Sequence, residues 1–266
     1  MLVSSANDIY ADDSKDALII GNGRYLHAAV LKNPVNDALD IARTLKKLDF
    51  KVRLLTDASK DEIETAVEEF IANLKNNKGT GLFYYAGHGS QLEGDNYLIP
   101  VDTNVEEEAE LKYKGFKITK LLDEMKKANN ETNIIILDAC RDNPFAGDFQ
   151  TASRSLTGSE EGIRALKRKG PKLNSGLSKL DAPPNTLLAY ATAPGKVAKD
   201  GVSRNSPYTT MLIEAIQKEG ITVEQVFKEV RSKVLEVTNG EQVPWESSSL
   251  VSDFYFVEKR EIPVGW

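Results

Sequence analysis

The chain has one cysteine, Cys140, among 266 residues, which excludes an internal disulfide framework and any multi-cysteine metal site. No apolar run approaches the roughly 20 residues that a membrane-spanning helix needs. Met1-Leu2-Val3-Ser4-Ser5 also lacks the charged start and apolar middle of a signal peptide. The chain is therefore expected to be soluble, with no membrane partner. Positive charge is in short supply as well: a net charge of −6 gives nucleic acid no basic surface to meet, so none is expected as a partner. What is present is ordinary. Hydrophobic residues at 41 % and charged residues at 28 % exclude a fibrous or wholly disordered chain, and the length suits one α/β domain with one substantial core.

The apolar pattern alternates between strand and helix. Asp16 to Gly21 is a short apolar run ending in glycine, read as a buried strand; Val35 to Leu48 carries apolar residues at helical spacing. Lys51 to Leu55 alternates as a strand does, and Ser59 with Glu62 forms a capping box that opens a helix through Leu74. The runs Gly81–Ala86 and Asn133–Asp138 do not alternate, which suits parallel strands covered on both faces; Thr119 to Ala128 reads as the helix between them. From Phe145 to Pro184 the composition turns to Ser, Gly, Lys and Arg, as in a mobile loop or linker. A strand at Asn185–Tyr190, helices over Pro207–Lys218 and Val223–Val237, and a last strand near Phe254–Val257 complete the order. The expected class is α/β, a mostly parallel sheet with helices on both faces. In such sheets chemistry collects beyond the carboxyl ends of the strands, and His88 and Cys140 are each expected just past such an end.

Cys140, in Asp138-Ala-Cys140-Arg-Asp, stands where the chain leaves a buried strand, and two readings are open: a small apolar core residue or a reactive thiol. His88 is flanked by Gly87 and Gly89, whose missing side chains let a substrate backbone approach the imidazole. At equivalent ends of neighbouring strands, the pair favours a nucleophile with its base.

Leu18-Ile-Ile-Gly-Asn22 with Tyr25, Asn33-Pro-Val-Asn-Asp37, Tyr85-Ala-Gly-His-Gly89, Gly94 to Asp102, Leu137-Asp-Ala-Cys-Arg141, and Ala191 to Gly195 with Asn205-Ser-Pro-Tyr-Thr209 recur in order along nearly the whole chain. With these motifs the sequence resembles the caspase-like cysteine peptidases, above all their bacterial caspase-homologue, metacaspase and orthocaspase branch. His88 lies about 50 residues before Cys140, as in the caspase signature. The resemblance implies a three-layer caspase-like sandwich. It divides the chain into an N-terminal extension (1–15), a large-subunit-like catalytic region (16–145), a linker (146–184) and a small-subunit-like region of the same domain (185–266). It also implies a cysteine endopeptidase with Cys140 as nucleophile, His88 as acid and base, and the N–H groups of Gly89 and Cys140 as oxyanion donors. No third side chain that would orient His88 is evident.

The signature at the cysteine departs from that of animal caspases, since Asp138 stands at the glutamine position and Leu31 falls where those enzymes carry an arginine for substrate aspartate. In metacaspase-like relatives, acids equivalent to Asp37 and Asp138 select arginine or lysine. Two carboxylates in a narrow pocket attract a guanidinium and penalise an acid; the other reading makes Asp37 a helix cap and Asp138 a strand-end acceptor. Similar proteases mature by cutting their linker. Arg154, Arg164, Lys167, Arg168, Lys169 and Lys172 are candidate self-cleavage sites here, or simply parts of a solvated loop. One group of metacaspases needs calcium, and Asp95, Asp102, Glu106, Glu107 and Glu108 offer oxygen ligands, but their spacing fits no defined calcium loop and no metal or other cofactor is expected. The expected partners are proteins or peptides with Arg or Lys before the cleaved bond. The alternatives are a caspase-fold interaction protein without catalysis, a thiol-dependent acyltransferase, and a protease of another specificity.

Overall fold

The structure is a computed structural model that describes residues 14–140, 177–193 and 198–259, with Cys140 described by its backbone. The elements in chain order are β1 (Lys15–Gly21), α1 (Pro34–Lys47), β2 (Lys51–Thr56), α2 (Lys60–Asn77), β3 (Thr80–Leu92), β4 (Asp95–Leu98), α3 (Leu111–Lys114), β5 (Phe116–Lys117), α4 (Ile118–Ala128), β6 (Thr132–Cys140), β7 (Thr186–Tyr190), α5 (Pro207–Ala215), α6 (Val223–Val237) and β8 (Trp245–Ser248). The main sheet runs β2-β1-β3-β6-β7-β8, parallel throughout except for β8. β4 and β5 extend the far end of β3 as a small antiparallel ladder.

Side-chain parity divides the strands between two cores. Ile19, Tyr84, Ala86 and Ile136 point to the face covered by α1, α5 and α6, where Ile41, Leu45, Tyr208, Leu212 and Phe227 are buried. Ile20, Phe83, Tyr85, Ile135 and Leu137 point to the face covered by α2 and α4, with Phe70, Ile71, Leu121 and Met125. This is a three-layer α/β sandwich. Local chemistry supports it: Pro34 opens α1, Ser59 and Glu62 close a reciprocal capping box on α2, and Thr222 and Gln225 do the same on α6. Among the described residues no helix is long and apolar enough to cross a membrane.

Four differences from the sequence-based expectations matter. First, β3 does not stop at Ala86 but continues to Leu92, and β6 reaches Cys140, so His88 and Cys140 are the last register pair of the parallel ladder rather than loop residues beyond it. Pairing survives the glycines because it uses backbone groups only. Second, β4 was not legible as a strand, although Glu93 and Gly94, with φ of 52° and 88°, form the two-residue turn with both φ positive that joins β3 to β4. Third, the last strand is Trp245–Ser248. Phe254 and Phe256 alternate inward like strand residues but serve as core plugs, while Tyr255 and Val257 make only isolated bridges to Thr222 and Glu219. An edge strand reading Trp-Glu-Ser-Ser is half exposed and carries little apolar signal. Fourth, the expected linker ends early: Leu177 is buried against the α2 and α4 face, and Ser178 exchanges backbone hydrogen bonds with the Asn96 side chain at 2.6 and 2.8 Å. Arg154, Arg164, Lys167, Arg168, Lys169 and Lys172 lie outside the described residues.

Candidate active site

His88 is held from every side that the fold offers. The residue is 3 % exposed, and its ring lies 4.5 Å from the buried Tyr25 ring. Its backbone N–H donates to Tyr25 Oη at 2.7 Å, and its carbonyl accepts from Tyr85 Oη at 2.8 Å. Gly87 makes room for this arrangement. Its φ is +153°, and a Cβ there would lie 2.6 Å from Tyr25 Oη and 2.7 Å from Tyr85 Oη.

The imidazole itself is oriented by a backbone group. Nε2 lies 2.7 Å from the Ala29 carbonyl oxygen; a carbonyl only accepts, so Nε2 carries the proton and Nδ1 is the basic nitrogen of the neutral ring. This third member was absent from the sequence reading because a carbonyl has no residue signature. The segment that presents it is itself fixed: Asp57 Oδ1 accepts the N–H groups of Gly23 and Arg24 at 2.9 and 2.8 Å, and Leu26 N–H donates to the Val101 carbonyl.

Register brings Cys140 opposite His88. Parallel neighbours in one sheet are about 4.8 Å apart, so the two backbones are adjacent. Gly89 is positioned for a different use of its backbone. Ile99 N–H donates to the His88 carbonyl, so the next pair toward the turn, Gly89 with Leu98, is of the non-hydrogen-bonded kind. The Gly89 N–H therefore points away from β4, toward the side where β6 ends.

The acids meet on the α1 and α5 face of the sheet. Asp37, in the first turn of α1, is 2 % exposed, and Asp138, two residues before Cys140, is 7 % exposed. Ser206, which caps α5, joins them: its N–H donates to Asp37 Oδ1 at 3.0 Å and its hydroxyl donates to Asp138 Oδ2. Thr209 Oγ1 donates to the same Asp138 oxygen at 2.9 Å and lies 2.6 Å from Tyr84 Oη. Burial pushes the Asp37 carboxyl well above its ordinary range, and the neighbouring Asp138 pushes it further. Burial also raises Asp138, against the lowering pull of the Ser206 and Thr209 hydroxyls. Among the described residues no ion pair reaches either acid; the nearby Arg204 is engaged instead by Asp40, with Nε to Oδ2 at 2.8 Å and Nη2 to Oδ1 at 3.2 Å. Two acids thus share a buried place with no counter-ion among the described residues.

Asp200, which the sequence did not single out, adds to the negative field at both acids. It accepts the N–H groups of Lys32 and Asn33 at 2.9 and 3.3 Å, tying its segment to the start of α1. Leu31 is half-buried against the cluster of Tyr25, Ile99 and Val101. Of the acids considered for calcium, Asp95 pairs with Lys117, Asp102 accepts from the Lys60 N–H, and the Glu107 side chain accepts from the Glu110 N–H. Among the described residues, no cluster of three or more His, Cys, Asp or Glu could hold a metal ion.

The family model described as "Caspase domain" matches residues 14–255. The chain belongs to the caspase family. Members of that family are cysteine peptidases in type, and the three-layer sandwich is theirs. Caspase-1 from Spodoptera frugiperda has the same fold, with a TM-score of 0.63 over 94 % of this chain and 93 % of that one, at 18 % identity. The human mucosa-associated lymphoid tissue lymphoma translocation protein 1 is 38 % identical over 128 residues, and the homologue of Mus musculus 37 % over the same length. These caspase-family matches cover 48 % of this chain and 15 % of each relative, so the chain spans a minor part of those proteins.

Proposed function

We propose that this caspase-family chain is an endopeptidase that cleaves peptide bonds after arginine or lysine. The observation that supports the specificity is the buried pair Asp37 and Asp138, which has no counter-ion among the described residues and whose Asp138 lies two residues before Cys140. Burying like charges together is costly, and a cationic side chain that enters such a pocket relieves the cost while gaining charge-assisted, bidentate hydrogen bonds. An aspartate side chain would bring a further negative charge to the acid pair and is rejected.

The chemistry follows from the positions around His88. Cys140 gives its thiol proton to His88 Nδ1, and the sulfur attacks the carbonyl carbon that follows the P1 side chain. The developing oxyanion accepts from the N–H groups of Gly89 and Cys140, each worth about 3 kcal/mol in such sites. His88 then returns the proton to the amine as the C–N bond breaks, leaving an acyl-enzyme. Water, deprotonated by the same ring, releases the acid and regenerates the thiol. The Ala29 carbonyl keeps the Nε2 proton in place throughout and stabilises the imidazolium.

Matched peptides that differ only in P1 test this reading. Arg and Lys peptides are expected to be cut by the wild type and not by Cys140→Ala; cleavage that survives the substitution, or a preference for Asp, contradicts it.

A further inference from the structure

We infer that Leu177 is a positioning residue for the Gly89 N–H: it braces that oxyanion donor from the α2 and α4 face of the sheet, and Ser178 locks the brace onto the hairpin that carries Gly89. The inference rests on the peptidase reading above and gives that reaction a residue from the stretch expected to be linker.

An oxyanion donor works only if it is already in place when the charge develops. Gly89 is poorly suited to hold itself there. Glycine has the freest backbone of any residue, and in its non-hydrogen-bonded pair with Leu98 the Gly89 N–H has no partner on β4. Packing has to supply what pairing does not. A Cβ at Gly89 would lie 3.0 Å from Leu177 Cδ2 and 3.1 Å from Ala139 Cβ, so Leu177 fills the space that a side chain would have taken. Leu177 is 1 % exposed and belongs, with Ala139, to the core under α2 and α4. It therefore packs on the residue after His88, beside the residue before Cys140.

Leu177 is held in turn through its neighbour. Asn96, fully buried on β4, grips the Ser178 main chain with both ends of its amide: the Ser178 N–H donates to Oδ1 at 2.6 Å, and Nδ2 donates to the Ser178 carbonyl at 2.8 Å. Ser178 Oγ donates to the Gly94 carbonyl in the β3–β4 turn at 2.6 Å. Asn96 is the register partner of Gln91, two residues along β3 from Gly89. The brace thus begins and ends on one hairpin, closed over the glycine whose backbone it fixes.

The lone cysteine allows bracing to be separated from stability alone. When iodoacetamide alkylates Cys140, the S–C bond forms, the C–I bond breaks and iodide leaves, with no oxyanion at any stage. That rate reports the thiol and His88 but not the Gly89 N–H, whereas hydrolysis of an arginine peptide needs all three. In Leu177→Ala, kcat is expected to fall about 10- to 100-fold, with KM and the alkylation rate within about twofold of the wild type. Leu177→Val leaves a smaller cavity and so keeps the fold; it is expected to show the same split with a smaller loss. Leu177→Met keeps the volume and restores kcat. An unchanged kcat in the Ala and Val variants, or alkylation that falls in step with kcat, overturns this inference alone. A wild type that is alkylated but cuts no peptide overturns the peptidase reading and this inference with it.

Discussion

Asp37 shows how one side chain can be chosen against stability. A buried acid with a raised pKa holds a proton in the folded state that the unfolded chain has released, so stability falls as pH rises from the ordinary carboxylate range through the raised value. The pair contributes least in mildly alkaline buffer, where both carboxylates are forced to ionise side by side. Asp37→Asn keeps an acceptor for the Ser206 N–H and removes the charge. It is expected to stabilise the protein there by on the order of 1 kcal/mol, about 2–4 °C in Tm, with the gain shrinking as the pH is lowered. Thermal unfolding at two pH values measures it; a loss of stability at both would contradict the buried like-charge arrangement. Arginine hydrolysis should fall in the same variant.

Much of this site was legible in residue types and little of it in their connections. His88 and Cys140 stand out by residue type and setting, and Asp37 and Asp138 by the family resemblance, as the side chains that the proposed chemistry would use. Ala29 does not, since any residue supplies a carbonyl, and Asp200 does not, since only the fold brings it to the Lys32 and Asn33 N–H groups.

At the scale of elements, α5 ties structure to the proposed specificity. Its cap Ser206 receives the Thr209 N–H at 3.0 Å and gives its own hydroxyl proton to Asp138. Ser206→Ala is expected to cost about 1 kcal/mol as a lost cap. It also removes a donor that favours the ionised Asp138, so the carboxyl rises further and kcat/KM for an arginine peptide falls more at neutral than at alkaline pH. A pH profile separates the effects, because a purely structural cap would lower activity equally at all pH values. The elements themselves were readable where burial is one-sided or capped: the β1, β3 and β6 runs and the Ser59 box. They were unreadable where backbone pairing alone decides, as in β8 and in the continuation of β3 through Gly87 and Gly89. His88 consequently sits in a strand, braced by pairing on both sides, where a loop had been expected.

For the whole molecule, the sheet order matters most. β3 and β6 are central neighbours, and their register sets His88 against Cys140 with the acid pair on the adjoining face. The start of α1 brings Asp37, and the cap of α5 closes the pocket from the second half of the chain. Binding of a cation there, next to the dyad, is the central claim. Its most direct measurement compares kcat/KM for an arginine peptide with that for the same peptide carrying citrulline, its uncharged isostere, in the wild type and in Asp138→Asn. The wild type is expected to prefer arginine by on the order of a hundredfold or more, and the variant to lose about 2–5 kcal/mol of that preference. Equal hydrolysis of the two peptides by the wild type, or an arginine preference unchanged in the variant, would contradict it.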